Sequence, residues 1–452
     1  MRSALLLVAL APFAAQAQDV EQTNLRYDED WSLLSDAPRE RWRATKYLPL
    51  AQDGSIYLTL GGEARARFEG FDDNLWGDPP APDDGYLWLR VMPHADFHAG
   101  PARVFVQGIA GYARGVGAGK GPADETGSDL LQSFADVHVE LTGDSSLTLR
   151  GGRELVALGS ERLVGIRYGP NIPQAFDGAR VIAVHGPVRV DAFHLHPIAV
   201  GRDDFDDATS KTRRLDGVYA TVTTAPGIGI DAYWLGYENE QARFTGRTGR
   251  ETRDTLGLRV FGKRGTLDWN WEAMLQRGRF DGDPIRAWSV ATETAWSVPL
   301  APYKPRVRLR ANIASGDRSA VDGKLGTFNA LFPKGKYFGE LSPIGPRNIV
   351  NLQPSVDFDL GSGLSIELLA AFFWRQSRGD GIYDIPGGLI RPAGGSRARR
   401  IGGQFEVSAG WQASATLSFA VSLSAFRPGT FIKDTGSART IRMAGAEAML
   451  KY

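Results

Sequence analysis

In the stretch PRVRLRANIAS, residues 305–315, Arg306, Arg308 and Arg310 alternate with Val307, Leu309 and Ala311. A guanidinium is a planar fork that holds a carboxylate through two parallel hydrogen bonds. If the segment is a strand, successive side chains point to opposite faces, and the three forks form a row on one of them. That arrangement suits the recognition of anions rather than the making or breaking of bonds. The same alternation places Arg65 and Arg67 (GEARARFEG), Arg90 (YLWLRVMPHADFH) and Arg375 (AFFWRQ) on polar strand faces. Arg150 and Arg153 stand in LTLRGGREL, where the glycine pair leaves the register open. Glu63, Asp96, Glu140 and Asp357 share these faces, so about half of the arginines are expected to pair with wall carboxylates and brace the structure.

Other chemistry finds little support. The chain has no Cys and six His, at 94, 98, 138, 185, 194 and 196, and no Ser/His/acid constellation is legible among them. HLH at 194–196 puts two imidazoles on one face, but no third ligand is spaced to match. No catalytic residue, metal site or cofactor is expected. The acidic stretches FDDNLWGDPPAPDDG (71–85) and GRDDFDDATS (201–210) lack the spaced pattern of a calcium loop and read as solvated loops, with Ca²⁺ as the alternative. GAGKG at 117–121 lacks the full phosphate-loop spacing. With 52 Lys+Arg against 52 Asp+Glu, a globally basic nucleic-acid binder is excluded.

The elements that must carry these arginines are strands. Period-2 segments recur at 56–70, 86–98, 131–141, 266–276, 305–315, 348–360 and 401–411. Short, turn-like connections (98–101, 142–146, 185–187, 225–229, 263–266, 361–363, 412–415) take turns with longer polar ones (70–84, 114–130, 156–175, 200–213, 239–251, 278–284, 316–347, 376–400, 427–440). Alternation of short and long is the pattern of an outer-membrane barrel with tight periplasmic turns and long extracellular loops. The final strand, IRMAGAEAMLKY, closes on the aromatic Tyr452. At the other end, MRSALLLVALAPFAAQA reads as a secretory signal peptide with cleavage after Ala17. No run is long and apolar enough for a transmembrane helix. The expected fold is all-β: a transmembrane up-and-down antiparallel barrel of about 18 strands, with 1–17 the signal peptide, 18–55 a periplasmic lead-in and 56–452 the barrel.

A soluble sandwich would merely solvate the arginine face of 305–315. A barrel instead turns the aliphatic face to lipid and the arginines to a lumen, and flipping the strand would cost roughly 2–4 kcal/mol per Arg near the midplane. Lumenal arginines suit anionic solutes.

LRYDEDWSLL (25–34), KYLPLAQDGSIYLTLGGEARARFEG (46–70), RGGRELVALGSERLVGIRYGPNIPQAFDGARV (150–181) and FNALFPKGKYFGE (328–340) resemble the alginate export family of outer-membrane barrels. The resemblance implies a monomeric barrel with an arginine-rich constriction that passes an anionic polyuronate. It also brings Arg153, Arg162 and Arg167 into that constriction. The partners it implies are an anionic polysaccharide or oligosaccharide, outer-membrane lipid, and periplasmic export or uptake components. One departure stands out: none of the short turns is long enough to plug the pore, so gating falls to the outer loops, above all 156–175 and 316–347, or is absent. A general porin for small anionic solutes and a non-transporting structural or adhesion barrel are the alternatives.

Overall fold

A computed structural model describes residues 20, 22–35 and 41–452. The signal peptide expected at 1–17 lies outside the described residues. Eighteen long strands follow one another: β1 Ile56–Asp72, β2 Asp84–Ala99, β3 Ala102–Arg114, β4 Gly127–Glu140, β5 Ser145–Leu155, β6 Ala175–His185, β7 Val188–Ala199, β8 Arg213–Ala225 and β9 Ile228–Phe244. The second half continues with β10 Arg247–Arg264, β11 Leu267–Phe280, β12 Asp283–Ser297, β13 Arg306–Ala314, β14 Ile349–Gly361, β15 Leu364–Arg375, β16 Arg400–Gln412, β17 Leu417–Pro428 and β18 Ile441–Lys451. Each pairs antiparallel with the next, and β18 returns to β1 from Glu63 opposite Lys451 to Asp72 opposite Arg442. The ring therefore has no open edge, and its strands pair with one another all the way around the wall. No helix of the described residues is long and apolar enough to cross a membrane; the strands cross instead.

The alternation sets which face is which. In β13, Val307 and Leu309 are exposed on the outer face while Arg306, Arg308 and Arg310 turn inward to acidic partners. Leu256, Leu258, Leu275 and Leu423 are each more than half exposed on the same outer face. Such a surface is stable only against hydrocarbon. Trp234, Trp271, Trp288, Trp296 and Trp411 also stand outward, as aromatic belts at a membrane interface do. One register differs from the alternation in sequence. Between Gln107 and Gly108 the β3/β4 pairing slips by one residue, and Leu131 is buried inside rather than turned to lipid.

Short turns lie at the end where the chain enters β1, and loops at the other. Two of the loops expected from polarity are absent. Residues 239–251 and 278–284 are strand, closed by the tight hairpins of Thr245–Gly246 and Asp281–Gly282. Both residues of the first hairpin have positive φ, 48° and 82°, the geometry that matches strand twist and that Gly246 adopts without a Cβ penalty. Polarity here means a hairpin reaching beyond the membrane, wet on both faces.

The lumen is also less polar than the strand faces suggested. Over its loop-side half the wall turns Phe176, Leu195, Leu215, Leu235, Ile285, Ile349 and Phe373 inward, and these pack against Val156, Leu163, Val164, Phe328, Phe332 and Phe338 from the connections after β5 and after β13. Burying each such side chain contributes about 1.5–3 kcal/mol. The two loops join across the lumen. Phe332 donates its N–H to Leu163 O at 2.8 Å, Gly165 to Phe332 O at 2.8 Å, and Lys334 to Glu161 O at 3.0 Å. From the turn side, residues 22–35 enter the lumen as two short 3₁₀ turns, Arg26–Asp28 and Trp31–Leu34.

Candidate permeation path

Many of the arginines are spoken for by the wall. Across β2 to β7 runs a chain of shared ion pairs. Asp96 binds Arg103 (2.8 Å), Arg150 binds Asp136 (2.8 Å) and Glu154 (3.0 Å), Arg180 binds Glu154 (3.1 Å) and Asp191 (2.7 Å), and Asp191 also takes Arg189 (2.8 Å). Each carboxylate from Asp136 to Asp191 meets two guanidiniums, so this belt is neutralised within itself. Arg150 in addition lies 3.9 Å over the Phe134 ring. Arg153, three residues on, falls on the opposite face of β5. It pairs in register with Ser133 and Asp177, and its fork closes on the Asp177 carboxylate at 2.9 and 3.2 Å. It therefore faces away from the lumen.

A second group holds loops. Arg65 donates to the carbonyls of Tyr168, Gly169 and Pro170 at 2.7–3.2 Å. Arg90 donates to Pro170 O and Asn171 O, binds Glu63 at 2.7 Å, and lies 4.6 Å over the Tyr168 ring. Arg67 binds Glu69, Glu447 and Glu340. Arg375, fully buried, gives all of its bonds to the carbonyls of Arg378, Asp380, Ser396 and Ala398 in the loop that follows it. It clamps that loop and does not line a passage.

The β13 row lies along open lumen. Arg306 meets Asp268 at 3.3 Å, Arg308 meets Asp357 at 2.8 Å and Glu367 at 3.5 Å, and Arg310 meets Glu293 at 2.9 Å. Asp357 and Glu367 stand directly opposite across β14 and β15, a repulsive pair that Arg308 bridges. Beside this row a cavity of about 290 Å³ is lined by Arg67 with Glu340, Asp357, Glu367 and Glu447.

Above it the balance reverses. A cavity of about 260 Å³ at the waist is lined by Ser160, Arg162, Asn270, Glu293, Arg310, Asn312, Lys334 and Tyr337. Arg162 is tied to Glu272 at 2.8 Å. Lys334 has no ion-pair or hydrogen-bond partner for its ammonium among the described residues. Burial, and then Arg310 and Arg162 beside it, push it down to about 8. Farther out, a cavity of about 520 Å³ is lined by Arg167, Arg213 and Arg347 together with Tyr237, Asn239 and Glu251. Glu251 is taken by Arg253 at 2.5 Å. None of Arg167, Arg213 and Arg347 makes an ion pair among the described residues. Arg167 reaches Gln174 at 3.3 Å, and burial followed by the neighbouring Arg213 pushes it down to about 10. Arg347 donates to Asn329.

Lys334, Arg213 and Arg347 were not among the residues singled out from sequence. Lys334 stands in the FNALFPKGKYFGE stretch, where its neighbour in space, Arg162, lies far away in the chain. Arg213 and Arg347 sit where a loop meets a strand, and no alternation assigns them a face. The remaining candidates are ordinary contacts. His194 binds Asp216 at 2.6 Å, and His196 meets the carbonyls of Ser210 and Arg213, so the two are not poised as a metal pair. Asp72, Asp73 and Asp83 lie together, as do Asp129, Asp206 and Asp207, and they are occupied by Arg442, Arg439, Arg153 and loop amides.

The model of a protein family described as alginate export matches residues 56–445. None of the curated proteins matches. Among solved structures, the chain is similar to Pseudomonas aeruginosa OccK11 (OpdR), with 15% identity over 90% of this chain and 96% of that one at a TM-score of 0.57. It is similar to P. aeruginosa OccK2 (OpdF), solved in complex with glucuronate, with 14% identity over 90% and 98% at a TM-score of 0.58. It is also similar to Acinetobacter baumannii OccAB1, with 11% identity over 90% and 99% at a TM-score of 0.56. At these identities the likeness speaks to the barrel alone.

Proposed function

The chain belongs to the alginate export family and is an outer-membrane channel, and on that premise we propose that it passes an anionic saccharide, of the polyuronate class, by passive diffusion. The observation that carries the reading is the set of cations without matched carboxylates. Arg167, Arg213 and Arg347 stand at the loop-side cavity, and Lys334 stands at the inner one beside Arg162 and Arg310, which Glu272 and Glu293 already pair. A polyuronate bears one carboxylate per sugar, and successive guanidiniums can take over successive carboxylates as it moves. Glu293 and Glu272 among these cations keep any single site from holding the solute too long, which conduction requires. Lower in the lumen, Arg306, Arg308 and Arg310 continue the row, each sharing itself with a wall carboxylate. Direction follows the gradient or the periplasmic partners. A monomer suffices, since the wall closes on itself.

A second reading is a channel for small anionic solutes, monomeric uronates or organic acids. The bridge between the loops after β5 and after β13 favours that reading. The glucuronate bound to OccK2 and the vanillate of the OpdK structure are solutes of that size.

Reversal potentials in planar bilayers under a salt gradient test both. Anion selectivity that falls in Lys334→Glu and Arg213→Glu, with block by added oligouronates that strengthens with chain length, supports the polyuronate channel. Block by monouronate alone supports the small-solute channel. A silent or cation-selective pore sinks both and leaves a structural barrel.

A further inference from the structure

LRYDEDWSLL, residues 25–34, has no place in the path just described, yet its Tyr27 stands inside the barrel. Tyr27 is buried, and its hydroxyl donates to the carbonyl of Leu155, at the loop-side end of β5, at 2.7 Å. Its ring meets Phe105 and Phe134 edge-on, with centroids 5.9 and 5.3 Å away, and the Arg150 guanidinium covers it at 4.5 Å. Arg103 donates to the Tyr27 carbonyl. Phe134 stands in the middle of β4, and Phe105, its register partner, stands near the turn-side start of β3. The segment thus reaches from the turn side deep into the lumen and fills it along β3 to β5.

Two features set this filling apart from the loops that enter from the other side. First, it forms no ladder with the barrel. Among the described residues its backbone–backbone bonds are local, from Asp28 to Leu25, Glu29 to Arg26 and Ser35 to Ser32. The first pairing with the wall comes at Leu48–Pro49, beside Leu58 and Tyr57. The segment can leave without breaking a strand pair, and 48–49 stays as a tether. Second, its seat is imperfectly satisfied. Lys46 is wholly buried, with its ammonium 4.9 Å over the Trp31 ring and no hydrogen-bond acceptor among the described residues. Gln22 Nε2 and His94 Nδ1 are likewise buried and without hydrogen bonds. Such groups lose their water without return, which favours the unseated state. Lys46 fits only because Gly61 faces it: a Cβ there would lie 2.2 Å from Lys46 Nζ and 2.7 Å from His94 Cε1.

We propose that residues 22–35 are a displaceable plug, anchored by Tyr27, whose withdrawal toward the periplasm opens the turn-side half of the lumen. The inference requires only that the protein is a channel and does not depend on which solute passes.

The chain has no cysteine, so an introduced pair is unique. Asn24 accepts a hydrogen bond from Lys451 at 2.9 Å at the turn-side rim. The full-length Asn24→Cys/Lys451→Cys protein, joined by a short reducible bis-maleimide, is recorded in planar bilayers. Joined, it should stay in a single low-conductance state, and reduction should restore steps to a larger one. Tyr27→Ala should raise the ratio of large to small state by about tenfold or more, as the loss of a buried aromatic anchor implies. Gly61→Ala, which crowds Lys46 and the Tyr452 carbonyl that accepts from Arg26, should move the ratio in the same direction. Anion-to-cation selectivity should be unchanged in Tyr27→Ala and Gly61→Ala, which remove no charge, and this separates the test from that of the proposed function. Identical conductance distributions in the joined and reduced forms overturn the proposal, as does a conductance that neither Tyr27→Ala nor Gly61→Ala alters in barrels that keep their heat-modifiable gel mobility.

Discussion

Phe332 and Phe176 meet edge to face, with ring centroids 5.1 Å apart at 85°, one in a loop after β13 and the other on the wall in β6. This contact fastens the bridge of loops across the lumen to the barrel. Phe332→Ala removes it at a local cost of about 3–5 kcal/mol. The barrel itself should remain intact by gel mobility, because its ladders are untouched. Single-channel current should become noisier and its mean larger. A quiet, unchanged current would show that the bridge does not limit flow.

Lys334 supplies a pH dependence of defined sign. Its ammonium is pushed down to about 8 by burial and by Arg310 and Arg162, so the charge is present below that pH and lost above it. Anion selectivity should therefore decline as pH rises through about 8. Lys334→Gln should be less selective at neutral pH and flat from pH 7 to 9. Reversal potentials across that range decide the point.

Arg375 tests the opposite expectation. It was grouped with the anion-binding arginines on its strand face, yet its partners are four loop carbonyl groups and the Phe431 ring at 3.9 Å. Arg375→Leu orphans those carbonyls at about 1–3 kcal/mol each where water cannot replace the donor. Protease cleavage within 376–399 should accelerate, while ion selectivity stays as in the parent. A change in selectivity with no change in cleavage would return Arg375 to the permeation path.

Asp317, in the loop after β13, is raised to about 6 by burial, with Asp380 beside it adding to the rise. With the loop closed it holds its proton at a pH where the free carboxyl has lost it, so closure is favoured as pH falls from about 6 toward 4. Amide exchange across 317–328, corrected for its intrinsic pH dependence, should be slower at pH 5 than at pH 7. Asp317→Asn should remove the difference.

The strand faces were legible because period 2 is a local property. Val307 and Leu309 outward, with Arg306, Arg308 and Arg310 inward, follow from five consecutive residues. Loops were less so. Polarity alone does not distinguish a solvated loop from a hairpin standing clear of the membrane, as residues 239–251 show. The apolar filling of the lumen was invisible, since Leu163 and Phe332 belong to aperiodic loops that meet only in three dimensions. The fate of each arginine depends on what lies across from it. Asp136 for Arg150 and Asp357 for Arg308 sit on neighbouring strands and follow from pairing. The Arg65 and Arg375 carbonyls belong to folded loops, and no spacing announces them.

The closing seam between β1 and β18 also fixes an order of events in biogenesis. β18 follows every other strand of the ring, so the wall closes only once it has been made, and its end then brings Lys451 to Asn24 and the Tyr452 carbonyl to Arg26. Asn24 and Arg26 therefore have no complete seat until β18 is in place. Loss of Lys451 and Tyr452 alone would leave most of the seam paired but strip Asn24 and Arg26 of their partners, so the lead-in would lose its seat before the ring lost its closure.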